Sequence, residues 1–285
     1  MNPKTSIARQ QVTDELKDWL RAQLAGGQAI GDVLAAMSAS GWDAAVAEQA
    51  IARVQASLGP PIELPAPGAV PEPALADGVT VVDAAGRPVR VLLAMRFPRV
   101  LVFDDLFDAA ECDALVEQAR PRLLRSETVD NATGGSEVNA ARTSEGMFFQ
   151  RGESPLIQTL EQRIAALLRW PVSWGEGLQV LRYQPGAEYR PHHDFFDPRH
   201  PGTEAVLRRG GQRVGTLLLY LNTPVRGGAT TFPDVQLEVA AVKGRAVFFS
   251  YDRPHAVTRT LHGGAPVVEG EKWVATKWLR EREFH

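Results

Sequence analysis

The N-terminal part of the chain shows an apolar pattern with the period of an amphipathic helix. Between residues 8 and 58 the apolar side chains form three stripes, and Gly26 and Gly41 mark the breaks between them. Asp43 is a suitable N-cap for the third stripe. The pattern therefore predicts a small unit of three helices. The stripes consist of Val12, Leu16, Trp19, Leu20 and Leu24, of Ile30, Val33, Leu34 and Met37, and of Val46, Ala50, Ile51, Val54 and Leu58.

A proline-rich segment separates this helical unit from the rest of the chain. Six prolines lie between positions 60 and 73, and each proline removes a backbone donor that a helix or a sheet would use. We therefore predict a semi-extended linker over residues 60–78. It divides a small N-terminal helical domain, residues 1–59, from a larger domain, residues 79–285.

The larger domain begins with a hairpin and two helices and then changes to short strands. Apolar runs on both sides of Gly86 predict a β-hairpin. Asp108 and Glu111 have the spacing of a capping box, and Ser154 precedes a second helical stripe. From residue 178 onward, short strand-like runs are separated by Gly, Pro and Asn. This succession predicts a mainly β (α+β) domain built as an antiparallel sandwich or barrel.

Composition narrows the class of protein. The 285 residues carry 31 basic and 34 acidic side chains, a net charge of −3, so the charge balance gives no reason to expect nucleic acid as a partner. The chain has no uninterrupted apolar run of the ~18 residues that a membrane span needs, and its N-terminus lacks the apolar core of a signal peptide. The single cysteine, Cys112, lies on an apolar helical stripe, which favours a buried thiol. We expect a cytoplasmic protein without nucleic-acid or membrane partners.

The stretch YRPHHDFFD, residues 189–197, contains the first candidate chemistry. Side chains alternate along a strand, so His192 and Asp194 should point to one side and His193 to the other. Two histidines and one carboxylate form the facial triad that binds non-haem Fe(II) and leaves positions open for a cosubstrate and O₂. The third ligand must come from elsewhere in the chain. The candidates are His200, His255, His262 and His285.

A lysine near the end of the sequence is the second indication. The run KWVATKW has the alternation of a strand, so Lys272, Thr276 and Trp278 should share one face. A lysine on an inward face is costly unless its ammonium meets a carboxylate. An iron oxygenase that chelates a 2-oxo acid needs such a cation to hold the distal carboxylate of that cosubstrate, and lysine supplies a compact point charge.

Together these segments resemble the prolyl 4-hydroxylase branch of the Fe(II)/2-oxoglutarate-dependent dioxygenases, over about residues 98–282. The ordered series that carries the resemblance is PRVLVFDDLFDAAECDAL, ARTSEGMFF, LQVLRYQPGAEYRPHHDFF, GGQRVGTLLLYLNTPVRGGATTFP, KGRAVFFSY and LHGGAPVVEGEKWVATKW. The resemblance implies a double-stranded β-helix, or jelly roll, with supporting helices. It implies Fe(2+), 2-oxoglutarate and O2 as cofactors and leaves open whether L-ascorbate is needed.

The resemblance also implies roles for individual residues. His192, Asp194 and His262 match the metal ligands of the catalytic centre. Lys272 matches the lysine that binds the C5 carboxylate of 2-oxoglutarate, and Tyr183 and Thr230 match two further contacts to that carboxylate. The candidate substrate contacts are Arg142, Tyr189, Arg213 and Trp278.

Some assignments have alternatives. His255 is the main rival of His262, but it lies seventeen residues before Lys272 instead of ten (272 − 255 against 272 − 262). Tyr189 fits a rim position as well as a substrate groove, and Arg142 fits a structural ion pair as well as a substrate contact. The family often has a histidine two residues after its active-site tryptophan, where this chain has Arg280. That departure puts a peptidyl-proline substrate in question.

The expected function is that of an Fe(II)- and 2-oxoglutarate-dependent dioxygenase that hydroxylates a side chain of a protein or peptide, with proline as the first candidate. One alternative is a hydroxylase of a small molecule such as a free amino acid. Another is a non-catalytic binding protein, which the presence of all three candidate ligands and of Lys272 disfavours. The separate N-terminal helical unit favours a macromolecular substrate and is itself a candidate for docking a protein partner.

Overall fold

A computed structural model describes residues 12–25, 28–58, 65–75, 78–126, 128–129, 133, 135–137 and 143–285. The chain forms two compact units, Met1–Leu64 and Pro65–His285. Within the described ranges, every helix falls short of the length and apolar character that crossing a bilayer requires.

The smaller unit contains the three helices that the apolar stripes predict, α1 (Asp14–Ala25), α2 (Ile30–Ala39) and α3 (Ala44–Leu58). Asp43 caps α3 by accepting hydrogen bonds from two backbone amides of its first turn at 3.0 and 3.2 Å. Two stripe members lie outside the core, since Trp19 is 37% and Ile30 48% exposed. Trp19 is turned by about 100° from Leu20 around the helix axis, and only Leu20 faces α3 and α2. The core consists of Leu20, Val33, Met37, Ala47, Ala50, Ile51 and Val54.

The larger unit contains three helices and all the strands that the structure describes. The helices are α4 (Ala109–Ala119), α5 (Pro155–Leu168) and α6 (Thr203–Leu207). The strands are β1 (Val81–Ala84), β2 (Arg87–Met95), β3 (Arg99–Asp104), β4 (Leu124–Arg125), β5 (Thr128–Val129), β6 (Ser136–Glu137), β7 (Glu145–Phe149), β8 (Leu178–Tyr183), β9 (Tyr189–His192), β10 (Arg213–Tyr220), β11 (Arg226–Gly227), β12 (Thr230–Phe232), β13 (Leu237–Val239), β14 (Ala246–Ser250), β15 (His262–Gly264), β16 (Val267–Glu269) and β17 (Lys272–Arg280).

Two antiparallel sheets form the body of this unit. Nine strands pair in the order β1-β2-β3-β14-β10-β17-β8-β7-β4, and four pair in the order β13-β12-β15-β9. Phe232 of the smaller sheet packs in one core with Phe249 and Val274 of the larger sheet. The opposite face of the larger sheet packs against α4 and α5, where Cys112 is fully buried. The mainly β architecture with supporting helices is therefore confirmed.

The local signals in the sequence are also confirmed. Ala85 and Gly86 join β1 to β2 with φ of 56° and 83°, the left-handed conformation of a tight hairpin turn. Asp108 accepts a hydrogen bond from the Glu111 amide at 2.9 Å, and Glu111 accepts one from the Asp108 amide at 3.0 Å. Ser154 caps α5 through a 3.3 Å hydrogen bond. These short-range sequence patterns predict the structure correctly because each depends only on residues within one turn.

Residues 65–75, which form part of the predicted linker, lie on the larger unit. The Gly68 amide donates to the carbonyl of Asp252 at 2.7 Å. Arg99 forms an ion pair with Glu72, and the Glu72 amide donates to a carbonyl at the end of α5 at 3.0 Å. The segment is therefore anchored before the sheet begins. Residues 60–64 and 76–77 of the predicted linker lie outside the described residues.

A lobe that carries α6, residues 197–211, connects the smaller sheet to the larger one. The Gln212 side chain closes its base, because its amide accepts from the Phe196 backbone at 3.0 Å and donates back at 2.6 Å. The last residue of the chain also holds the lobe. The His285 amide donates to the Arg209 carbonyl at 3.1 Å, and the Arg209 guanidinium donates to the His285 carbonyl at 3.3 Å.

A buried ion pair lies on the helix side of β17 and leads to a first prediction. Lys277 Nζ lies 2.6 Å from Glu161 Oε1, and the two side chains are 2% and 3% exposed. Glu161→Gln keeps the shape but removes the compensating charge. We expect it to lower the free energy of unfolding by about 2 kcal/mol, measured by urea denaturation. The matched control is Glu204→Gln at the exposed Glu204–Arg208 pair, which should change stability by less than about 1 kcal/mol. Equal losses in the two variants would contradict the argument from burial.

Candidate metal centre

Two strands of the smaller sheet bring the proposed histidine ligands together. In the antiparallel pair β9–β15, His192 lies directly opposite His262, and their ring centroids are 4.4 Å apart. Asp194 follows two residues after the end of β9 and is buried between them. Its carboxylate oxygens lie 3.5 Å from Nε2 of each histidine. One possible ligand atom from each of the three residues therefore lies within 4.8 Å of the other two.

Backbone carbonyls orient both imidazole rings. Nδ1 of His192 lies 2.9 Å from the Arg190 carbonyl, and Nδ1 of His262 lies 3.0 Å from the Thr260 carbonyl. A carbonyl can only accept a hydrogen bond, so the proton of each neutral ring belongs on Nδ1. The lone pair of each Nε2 is then free and points toward Asp194. This is the outer-shell arrangement that orients histidine ligands in metal sites.

The ionisation of the three residues suits a divalent cation. Burial lowers the pKa of His262 to about 4, so its ring is neutral at physiological pH. Burial works to raise the pKa of Asp194, but the imidazoles of His262 and His192 hold that pKa well below its usual range. The cluster therefore offers two imidazole nitrogens and one carboxylate, which is the donor set of a facial triad with open positions.

The triad lines a cavity in the larger unit. The cavity wall comes from both sheets and includes Tyr183, Tyr189, His192, Asp194, Leu218, Thr230, His262, Lys272, Val274, Thr276 and Trp278. The strand alternation predicted for the last strand is confirmed, because Lys272, Thr276 and Trp278 of β17 all line this cavity. Eight of the ten candidate site residues thus line this one cavity.

Lys272 is a buried cation on that wall. It is 4% exposed, and burial alone lowers the pKa of its ammonium to about 8. Its Nζ lies 5.6 and 5.4 Å from the ring centroids of Tyr183 and Tyr220, and no carboxylate among the described residues pairs with it. The Tyr220 hydroxyl donates to Thr230 at 2.6 Å. Tyr183, Thr230 and Lys272 therefore form a polar part of the cavity wall that carries one buried positive charge.

The candidate substrate residues lie in different places. Tyr189 stacks on His192 with ring centroids 3.7 Å apart, and Trp278 is buried on the cavity wall with no acceptor for its indole N–H among the described residues. Arg213 is not part of that wall. It pairs with Glu176 at 2.7 and 2.9 Å and lies 3.9 Å above the Trp278 ring. Arg142 lies outside the described residues.

The rival histidines have other surroundings. Nδ1 of His255 accepts a hydrogen bond from the Val257 amide at 3.0 Å, so this ring caps a short turn. His193 packs on Phe195 with centroids 4.6 Å apart. His200 and His285 are exposed. None of the four joins the cluster of possible metal ligands found among the described residues.

Sequence reasoning missed several polar residues that support the site. Thr216 of β10 donates to Asp194 at 2.7 Å, and Tyr220 on the same strand supports Thr230. Arg280 stands where the prolyl 4-hydroxylase-like family often has a histidine. Its side chain is 1% exposed and pairs with Glu176 at 3.1 Å. The sequence did contain a signal for Thr216, because it is the one polar side chain within the apolar run VGTLLLYL.

Comparisons with known proteins agree with this geometry. The 2OG-Fe(II) oxygenase superfamily matches residues 178–280. Prolyl 4-hydroxylase 5 of Arabidopsis thaliana is 38% identical over 208 residues, which are 66% of this chain and 70% of the relative. Prolyl 4-hydroxylase 1 of the same plant is 41% identical over 203 residues, which are 65% of this chain and 70% of the relative.

A solved structure is also similar. It is a viral collagen prolyl hydroxylase from Paramecium Bursaria Chlorella virus-1 in a 2OG complex, with 28% sequence identity and a TM-score of 0.50. The match covers 64% of this chain and 95% of the viral chain. The two-sheet body of the larger unit is thereby confirmed as the predicted jelly roll.

Proposed function

Because the chain belongs to the prolyl 4-hydroxylase branch of the 2OG-Fe(II) oxygenase superfamily, we propose that it hydroxylates proline side chains of a protein or peptide. It is a 2-oxoglutarate-dependent dioxygenase, with Fe(2+), 2-oxoglutarate and O2 as its cofactors. The cytoplasmic location stays a prediction of the sequence, and the sequence leaves the need for L-ascorbate open.

The observation that best supports this function is that one cavity holds both a cluster of metal-ligating side chains and a buried ammonium. At one place, two imidazoles and a carboxylate converge with the donor types and the spacing of a metal site. At the other, the ammonium of Lys272 is buried without an anion among the described residues. A metal at the first place and a dicarboxylic 2-oxo acid between them satisfy both. The residues present therefore fit Fe(II) and 2-oxoglutarate.

We propose the following division of labour. His192, Asp194 and His262 hold the iron, and Lys272 holds the distal carboxylate of 2-oxoglutarate. With both bound, the iron centre would supply the oxidation, in which one oxygen atom of O2 becomes the new hydroxyl and the other enters the succinate that forms, together with CO2, from 2-oxoglutarate. The chain supplies binding, orientation and exclusion of water. Thr230 presents a hydroxyl beside Lys272, and its own orientation is held by Tyr220.

The side of the cavity with Tyr189 and Trp278 is the proposed place of the substrate. Both aromatic rings flank the triad, and a proline ring packs well on aromatic faces. Arg213 acts on this wall indirectly, because its guanidinium stacks on Trp278 while its charge is neutralised by Glu176. Arg280 is enclosed behind Trp278 by Glu176 and the lobe. The departure at Arg280 therefore lies outside the cavity wall and does not argue against proline.

The smaller helical unit is the proposed docking module for a protein partner. Trp19 and Ile30 are large apolar side chains on its surface, and aromatic residues such as tryptophan are enriched in protein interfaces. A unit that binds a partner and is joined by a linker to the catalytic unit would raise the local concentration of the substrate.

The activity is tested with a proline-containing oligopeptide, Fe(II), 2-oxoglutarate and O2. We expect a mass gain of one oxygen on the peptide and an equal amount of succinate, measured by mass spectrometry. The peptide with alanine in place of proline, and the Asp194→Asn protein, serve as controls and should give neither product. Hydroxylation of free proline but of no peptide would support the small-molecule alternative. Absence of succinate with every substrate would contradict the proposal.

A further inference from the structure

The two oxygens of the Asp194 carboxylate have different surroundings. Oδ2 accepts a hydrogen bond from Thr216 Oγ1 at 2.7 Å and lies 3.5 Å from His262 Nε2. Oδ1 lies 3.5 Å from Nε2 of His192. A free carboxylate could turn about its bond and exchange the two oxygens. Here one oxygen is already held by the protein.

A second hydroxyl holds the first. Thr216 Oγ1 lies 3.0 Å from the Tyr251 hydroxyl, and the two side chains are 0% and 2% exposed. An ionised carboxylate has no proton to donate, so Thr216 must donate to Asp194. The Thr216 oxygen is then free to accept, and Tyr251 must be the donor. The direction of the whole chain is therefore determined: Tyr251 donates to Thr216, and Thr216 donates to Asp194.

Both hydroxyls come from rigid parts of the fold. Thr216 lies on β10, between β14 and β17 in the nine-stranded sheet, where its register partners are Phe249 and Trp278. Tyr251 directly follows β14. A β-branched side chain has few χ1 choices on a packed strand, so the Thr216 hydroxyl is directed by the packing around it. Asp194 itself lies beyond the end of β9, where no strand pairing holds it.

We propose that Thr216 and Tyr251 are positioning residues of the metal site, which hold Oδ2 of Asp194 and so direct a single oxygen, Oδ1, to the metal. This inference rests on the proposed function. A carboxylate held in this way contributes one ligand atom. A carboxylate that gives both oxygens would occupy a fourth coordination position, one of those that a facial triad must keep open.

The test measures cobalt(II) binding to the full-length apoprotein by calorimetry, together with the visible absorption of the bound ion, which reports its coordination. We expect Thr216→Val to weaken cobalt(II) binding by about 10- to 100-fold, the usual effect of losing an outer-shell partner, and to change the spectrum. Thr216→Ser restores the hydroxyl and should return both readouts to those of the wild type. Tyr251→Phe removes only the second donor. It should weaken cobalt(II) binding by about 3-fold or more, which corresponds to a loss of about 0.7 kcal/mol, because a tenfold change in affinity equals 1.4 kcal/mol.

The control is Thr203→Val, which makes the same change at a buried threonine of the lobe. It should leave the affinity and the spectrum unchanged. Wild-type affinity and spectrum in Thr216→Val would overturn the inference. If Thr216→Val does not fold, unchanged binding in Tyr251→Phe overturns it instead. Failure of the proposed function looks different, because the wild-type protein would then bind cobalt(II) no better than His262→Ala.

Discussion

Replacing His262 by alanine should abolish metal binding and activity, whereas the same change at His255 should preserve both. His262 is 4% exposed, its Nδ1 is held by a carbonyl, and its Nε2 faces Asp194. His255 uses its Nδ1 to cap a turn and is not part of the ligand cluster. Loss of a ligand should exceed the ~10- to 100-fold effect of losing an outer-shell partner. Turnover should fall to background.

The measurement is an anaerobic titration of each apoprotein with Fe(II) in the presence of 2-oxoglutarate, followed by visible absorption. The wild-type protein and His255→Ala should develop the weak charge-transfer band of an iron-bound 2-oxo acid, and His262→Ala should not. His193→Ala is a second control, because His193 adjoins a proposed ligand in sequence yet lies outside the cluster. A band in His262→Ala with none in His255→Ala would reverse the assignment of the third ligand.

Lys272→Met should weaken 2-oxoglutarate binding while making the apoprotein more stable. An ion pair that is removed from a buried site typically costs about 2–5 kcal/mol, so the dissociation constant should rise about 30-fold or more. Without bound 2-oxoglutarate, however, the buried ammonium of Lys272 destabilises the folded protein. Its pKa falls from 10.5 to about 8, and at 1.36 kcal/mol per unit the protonated side chain destabilises the folded apoprotein by about 3 kcal/mol. Methionine has a similar shape and removes the destabilising charge.

The pH dependence of this effect has a definite sign. The folded-state pKa of Lys272 is lowered, so the unfolded chain binds more protons between pH about 8 and 10.5. Apoprotein stability should therefore rise with pH across that window. The affinity for 2-oxoglutarate should change the opposite way, weakening above pH about 8 as the ammonium loses its proton. Both dependences should disappear in Lys272→Met.

Calorimetry with 2-oxoglutarate and urea unfolding of the apoprotein separate the two effects. Lys243→Met is the control, since Lys243 forms an ion pair with Asp113 near the surface. It should change neither the affinity for 2-oxoglutarate nor its pH dependence. A Lys272→Met protein that binds 2-oxoglutarate as tightly as the wild type would exclude Lys272 as the anchor.

How far the sequence predicts the site depends on the distance over which each signal acts. The inward position of Lys272 follows from strand alternation, which has a period of two wherever a strand forms. The meeting of His192 with His262 could be inferred from residue types and family resemblance. Their direct opposition on β9 and β15 could not, because register depends on how the intervening strands pair.

Two supporting residues show the same limit. Arg213 and Glu176 are 37 positions apart in sequence, so no local pattern indicates that they form an ion pair outside the cavity wall. Thr216 stands out in the sequence only as a polar side chain in an apolar run, and because threonine is also a good strand former, its role becomes clear only from the position of Asp194 beside it. Burial of a polar side chain becomes informative only when its partner is known.

The hold of His285 on the lobe has a practical consequence for experiments on this protein. Any chain fused after His285 starts beside Arg209, on the segment that follows Asp194. A polyhistidine purification handle at that point would add imidazoles, the same ligand type as His192 and His262, to the lobe. It would compete for the same ions in every titration proposed above. The handle should therefore be removed, or replaced by one without histidine, before those titrations.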